Sequence, residues 1–268
     1  MSDLLLFRAR FTDYSFRRHA HDGYAIGVIE EGEERFFHRG AAHAVVPGQV
    51  VTINPGEVHD GEPGTRDGFR YRMMYPSEEL ITEILGGAGF PGTPVRFPSA
   101  TVDDPPWTHE FIRFHRAIER TDGLCELWVR QRLSALLGPF FARWGQSPGT
   151  AATEPGNERA VRRAAEYIRA NAAGGVLLRD AAAVAELSQY HFLRTFTKVL
   201  GVSPHAYRML RCVELARASI LRGLPLARAS LDAGFADQSH CTRWFRAVYG
   251  VAPGSFRRAC VEEQFRSR

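Results

Sequence analysis

Arg194 and Arg243 stand 49 residues apart, and their surroundings repeat with the same shift: Phe196 with Phe245, Gly201-Val202 with Gly250-Val251, Pro204 with Pro253, Tyr207 with Phe256, Arg208 with Arg257. A match at fixed period marks one structural unit present twice. At helical spacing Phe192, Phe196 and Val199 form the buried stripe of the first copy, and Cys241, Phe245 and Val248 that of the second. The other face holds Tyr190, Arg194 and Thr197 in one copy and Ser239, Thr242, Arg243 and Arg246 in the other. Arginine bonds a guanine edge bidentately, while Gln, Ser, Thr and His offer shorter polar contacts to bases or phosphates. The candidates for reading duplex DNA are therefore Tyr190, His191 and Arg194, with Gln238, Ser239, His240, Thr242 and Arg243. Any one of them could be a solvated surface residue, but the shared phase of the two arginines argues against that for the set.

A second group could do different chemistry. His19-Ala-His21 places two imidazoles on one face of a strand, and a distant His59 could meet them, giving three metal ligands. A dioxygenase site would add a carboxylate shortly after the paired histidines, yet Ala25 and Ile26 stand there and Glu30 is the first acid. No metal and no cofactor are expected, and a ligand pocket or simple packing suits these histidines better. His19, His21, Tyr24, Glu57, His59 and Tyr71 supply more polar groups than an inert core tolerates, which makes them the candidate effector-binding residues, although several could lie outside any interior. The chain has no glycine-rich phosphate loop and no nucleophile elbow, so no catalytic residue is assigned.

The elements that must position these groups change character along the chain. Between Tyr24 and Tyr75, short apolar stretches (Tyr24 to Ile29, Arg35 to His38, Val50 to Ile53, Phe69 to Met74) alternate with turns at Gly32, Gly40, Pro47-Gly48 and Asn54-Pro55-Gly56, the signal of an all-β sandwich or barrel. Leu4 to Phe16 reads either as an arm or as an edge strand. From Trp107 the period is helical: Phe111, Ile112, Phe114 and His115 precede a broad stripe running from Leu124 through Leu133, Leu137 and Phe141 to Trp144, suited to core packing, to a dimer seam, or to both. Residues 146–157 are rich in Pro, Gly and Thr without periodicity and read as a linker.

Beyond the linker, short helices over Leu178 to Ala185 and Leu226 to Ala233 each precede a turn and a second helix. Ser188 suits an N-cap, Gly201 and Gly250 suit left-handed C-caps, and Ser203-Pro204 suits a restart into a long helix from His205 to Arg222. Such a helix is a rigid spacer between the copies, as reading grooves about 34 Å apart requires.

Composition agrees with this division. Residues 1–145 carry 16 Arg against 20 Asp and Glu, a net of −4, while residues 146–268 carry a net of +8, so only the second part is built for a polyanion. Lys198 is the sole lysine. Leu4, Leu5 and Leu6 run straight into Arg8 and Arg10, unlike a secretory leader, and no apolar run approaches the about 18 residues of a membrane span, so a cytoplasmic protein without a membrane partner is expected. Cys125, Cys212, Cys241 and Cys260 show no paired spacing and are expected as thiols, Cys241 in a core.

Ala229, Gly234-Phe235, Ser239, Arg243, Phe245, Arg246, Gly250 and Pro253 together closely resemble the C-terminal signature of the AraC/XylS family of transcriptional regulators. Cys241 departs from a common Phe, and Glu186 from a common turn Gly. His19-Ala-His21, Pro47-Gly48 and Ile53 to His59 resemble pieces of the cupin-type sensor barrel such regulators carry. The resemblance implies an α+β two-domain chain: a cupin-like effector-binding and dimerisation domain over 1–145, the linker over 146–157, and a DNA-binding domain over 158–268 with two helix-turn-helix units. It further implies double-stranded DNA and a small-molecule effector as partners, RNA polymerase as a further candidate, and a homodimer with Leu124 to Trp144 as its seam. The competing readings are a cupin metalloenzyme and a regulator whose barrel only dimerises.

Overall fold

The computed structural model describes residues 4–87, 95–120, 125–146 and 156–257. These form two compact units, one containing 4–15 and 22–146, the other containing Phe16–His21 and 156–257.

In the first unit, β1 (Leu4–Phe11), β8 (Phe69–Pro76), β3 (Ala25–Gly32), β6 (Gln49–Ile53) and β9 (Thr101–Asp103) lie side by side in that order. All of these pairings are antiparallel, with Phe11 opposite Phe69, Ala9 opposite Tyr71 and Phe7 opposite Met73. Of the segment read as arm or edge strand, Leu4–Phe11 is an edge strand. In a second sheet β4 (Glu34–His38) is flanked by β5 (Ala41–Val45) and β7 (His59–Pro63). Hydrogen bonding among the described residues gives two sheets rather than the single closed barrel expected.

Alternation gives the five-stranded sheet two apolar faces. Tyr24, Ile26, Val28 and Met74 pack against α1 (Glu78–Gly87), α2 (Pro105–Arg120) and α3 (Glu126–Trp144) through Trp107, Phe111, Leu133, Leu137, Phe140 and Phe141. Trp107 stacks on Phe140 with ring centroids 4.1 Å apart. Each such ring contributes about 1.5–3 kcal/mol by leaving water. Most of the expected helical stripe is therefore core; Leu124 falls outside the described residues, and Leu127 is 73% exposed. Arg72 is buried on this face, which is tolerable because Glu30, at 3.0 Å, and Glu119 supply opposite charge.

Most of the expected linker also lies outside the described residues. Its first residue, Gln146, exchanges backbone hydrogen bonds with Arg96 at 2.8 and 2.9 Å, and its last, Asn157, is already helical.

The second unit is helical: α4 (Gly156–Ala170), α5 (Leu178–Val184), α6 (Gln189–Leu200), α7 (Pro204–Leu221), α8 (Leu226–Asp232) and α9 (Gln238–Tyr249). Val161, Ala164 and Ile168 of α4 pack with Ala181, Ala182, Phe192 and Phe196. The strand β2 (Phe16–His19) packs on α9. The two copies share a signature contact: Phe196 meets Tyr207 edge-on at 5.6 Å, and Phe245 meets Phe256 edge-on at 5.3 Å.

Candidate functional site

Helices α6 and α9 are held by the same devices. Ser188 accepts a hydrogen bond from His191 N at 3.3 Å, and Asp237 accepts one from His240 N at 2.7 Å, capping each N-terminus. Gly201 and Gly250 end the helices at φ 75 and 72, the left-handed conformation glycine adopts without a side-chain clash. Ser203 caps α7 through Ala206 N at 3.2 Å, with Pro204 at its first turn. The Ser188, Gly201, Gly250 and Ser203-Pro204 expectations are met; the Asp237 cap has the residue type and position that would have revealed it.

Phe192 and Phe196 are buried, as are Cys241, Phe245 and Val248. Val199 is not part of the buried stripe: it is 37% exposed, because Leu200 instead turns towards the α4–α6 core. Tyr190, His191, Arg194, Gln238, Ser239 and Arg243 are exposed, while His240 and Thr242 are half-buried. The Arg194 guanidinium lies 5.7 Å from the Tyr190 ring centroid, a contact that pre-orients it. Arg194 makes no ion pair among the described residues, and Arg243 makes neither an ion pair nor a hydrogen bond. Neither helix contains Asp or Glu. Two capped helices thus present unneutralised guanidinium groups to solvent, which suits a polyanion.

The turn before each of these helices differs between the copies. Gly234 takes φ 90 before α9, and Glu186 takes φ 58 before α6, where it pairs with Arg163 at 3.0 Å. Arg208 ties the copies together by donating to Ala172 O at 2.8 Å and Gly234 O at 3.3 Å. Sequence reading paired Arg208 with Arg257 but gave it no structural role.

The six residues singled out for an effector fall in both compact units. His19 and His21 lie in the segment belonging to the helical unit, their rings 4.9 Å apart, whereas His59 belongs to the sheet unit. Burial, then neighbouring His21, lowers the His19 pKa to about 3, so this imidazole is neutral. His21 Nδ1 lies 3.7 Å from buried Glu214, which also accepts from the Tyr249 hydroxyl. Tyr24 is core: its hydroxyl donates to Val95 O at 2.5 Å, its ring meets Phe141 edge-on, and burial pushes its pKa up to about 12. Burial would raise the Glu57 carboxyl, but His38, at 2.9 Å, and Arg39 hold it below its usual range. His59 Nδ1 lies 3.2 Å from Glu57 O.

Tyr71 alone of the six stands among rings on the inward face of the five-stranded sheet, stacked on Phe11 at 5.7 Å and Phe69 at 5.5 Å. Facing it is Glu34, which sequence reading missed. The signal was present: in Glu34-Arg35-Phe36-Phe37-His38 the alternation puts Glu34 on the side of Phe36.

Comparison with known proteins gives a consistent picture. The family described as AraC-like ligand binding domain matches residues 2–137, and a helix-turn-helix domain family matches residues 181–259. An uncharacterized HTH-type transcriptional regulator of Bacillus subtilis, YbfI, is 26% identical over 231 residues, covering 84% of this chain and 81% of its own length. The arabinose operon regulatory protein of Escherichia coli is 23% identical over 247 residues, covering 90% of this chain and 82% of its own. Among solved structures, ToxT of Vibrio cholerae bound to an unsaturated fatty acid superposes with a TM-score of 0.61 at 11% identity, over 95% of this chain and 94% of that one.

Proposed function

Because the chain belongs to the AraC family of transcription regulators, we propose that α5–α6 and α8–α9 are its two helix-turn-helix units, each laying its second helix in a major groove of duplex DNA. The chain is an AraC-type transcriptional regulator with a ligand-binding N-terminal domain. What carries the two-unit reading is the pair Arg194 and Arg243, repeated in phase, exposed, and without acidic partners among the described residues, on capped helices. Tyr190, His191, Gln238, Ser239, His240 and Thr242 complete the DNA-facing set.

The N-terminal unit is a cupin-like sensor occupying residues 1–145, followed by a linker over 146–157 and the DNA-binding domain over 158–268. Effector acts by population shift: it binds one arrangement of sensor and DNA-binding domain better than another, since equal affinity for both would switch nothing. Support for a small-molecule effector comes from the family match over residues 2–137 and from the fatty acid seen in ToxT. The outward face of α3, with Leu127 exposed, is the homodimer seam. The regulator works in the cytoplasm, with RNA polymerase as a further partner and no catalytic role; no helix among the described residues is long and apolar enough to cross a membrane.

Selection of bound sequences from random duplexes supplies the operator, on which Arg243→Ala is then measured by fluorescence anisotropy. A base-reading arginine costs about 1–3 kcal/mol when truncated. Unchanged affinity and unchanged salt dependence would remove Arg243 from the interface.

A further inference from the structure

Between the two sheets of the N-terminal unit sits an acid that has no partner among the described residues. Glu34, Phe36 and His38 share the inward face of β4, with Phe36 and His38 buried and Phe37 turned out. His38 has Glu57 as its partner. Glu34 has neither a hydrogen bond nor an ion pair among the described residues, and its electrostatic neighbour across the interior is the Tyr71 phenol. Rings crowd that spot: Phe11 and Phe69 stack on Tyr71, and Phe7 lies 6.1 Å from it.

Surrounding protein desolvates the Glu34 carboxyl and pushes its pKa up to about 8, yet the residue keeps intermediate exposure. An acid on the outer surface would be hydrated, and one in a packed core would be covered or paired. Desolvated but still reachable, Glu34 has the properties of a group on the wall of an interior space.

We propose that this interior is the effector site and that it selects an organic cation, an amine whose ammonium group sits on the Glu34 carboxylate and whose apolar body lies among Phe7, Phe11, Phe69 and Tyr71. This assignment presupposes the sensor role proposed above and specifies the effector's class. Three head groups compete for such a place. A carboxylate would set two acids in one desolvated space, where both cannot ionise. An alcohol supplies a hydrogen bond but no countercharge. An ammonium group supplies the countercharge and is also attracted by the ring faces.

The titratable groups on the inward positions of the neighbouring strands are Tyr71 and Tyr75 on β8, His38 on β4, His43 on β5 and His59 on β7. None is an Arg or Lys that would keep the empty carboxylate ionised. At pH 7 Glu34 is therefore largely protonated in the empty site, and the cation displaces that proton to solvent as it binds.

Matched probes test the class on the full-length protein: 4-phenylbutylamine, 4-phenylbutyric acid and 4-phenylbutan-1-ol, which share one apolar body, titrated calorimetrically in buffers of different ionisation enthalpy. The amine is expected to bind about tenfold tighter than either analogue, the effect of one charge-assisted contact partly offset by desolvation, and to release close to one proton at pH 7. In Glu34→Gln the amine preference and the proton release disappear while the alcohol still binds, which also reports an intact fold. If the acid or the alcohol binds best, or the amine preference survives in Glu34→Gln, the cation assignment is overturned and the sensor role stands. If none of the three binds, the cation assignment and this interior as the sensor site fall together. The wild-type comparison alone decides between these outcomes should the variant fail to fold.

Discussion

Replacing Gly234 by alanine probes the geometry that holds α9 in place. Gly234 stands at φ 90, and an added Cβ would come 2.7 Å from the Ala173 carbonyl oxygen and 2.8 Å from its Cα, backbone atoms that cannot swing aside. The left-handed backbone costs a residue with a Cβ about 1–2 kcal/mol. Overlap of the kind seen in overpacked cores adds about 1–3 kcal/mol. The lower chain entropy of unfolded alanine offsets roughly 0.5–1 kcal/mol. The expected loss is therefore about 1–4.5 kcal/mol, a large share of the stability of a small helical unit. Glu186, at the matching turn of the first copy, makes the control: at φ 58 it bears the backbone strain, and its side chain is held among the described residues by an exposed ion pair with Arg163. Glu186→Gly should be neutral or up to about 1 kcal/mol more stable, since the strain relieved exceeds the entropy lost and a surface ion pair adds little. Urea unfolding followed by far-ultraviolet circular dichroism measures both, in a Trp244→Phe background where the emission of Trp107, Trp128 and Trp144 reports the N-terminal unit separately. A loss below about 0.5 kcal/mol in Gly234→Ala, or an equal loss in Glu186→Gly, would refute the steric reasoning.

Three further outcomes follow from the structure. Glu119, with His115 Nδ1 3.8 Å away and Arg72 as its hydrogen-bonding partner, has its pKa lowered from 4.5 to about 2. Its contribution to stability is thus complete above pH 4.5 and is lost as pH falls towards 2; Glu119→Gln should lower the urea midpoint at neutral pH and flatten that acid limb, and an unchanged limb would show that other carboxylates set it. Leu127→Arg on the exposed face of α3 should shift sedimentation from dimer to monomer without altering the far-ultraviolet spectrum, and a persistent dimer would move the seam elsewhere. Arg194→Ala should weaken operator binding by about 1–3 kcal/mol while sparing random duplex; equal weakening on both would make Arg194 a phosphate contact.

The helical half was largely legible in the sequence because its signals are local. A capping serine, a C-terminal glycine and an apolar stripe at period 3.6 act within a dozen residues, so Ser188, Gly201, Phe192 and Phe196 could be placed without tertiary information. Val199 failed because it sits at the margin of the stripe, where packing against a neighbouring helix decides and periodicity does not. In the sheet-rich half the strands over Tyr24 to Ile29 and Phe69 to Met74 were visible, but α1, β7 and β9 were not, being short or weakly patterned. Polarity picked out Tyr24 and Glu57, whose polar atoms are occupied within the fold, and passed over Glu34, which has no partner among the described residues. Whether a buried polar group is satisfied depends on strands far apart in sequence, so residue type alone could not distinguish them.

Helix α7 runs 18 residues, about 27 Å, with Met209, Val213, Ala216 and Ile220 anchored in protein along its length. With α6 and α9 as the two grips proposed above, mounted on one stiff beam, the pair cannot follow a duplex whose contact points are rotated apart. Adding about five base pairs between them would swing one contact to the far side of the DNA, and adding about ten would restore the facing but overrun the reach. On that proposal, promoters served by this regulator drift in the letters between the contacts far more freely than in their number.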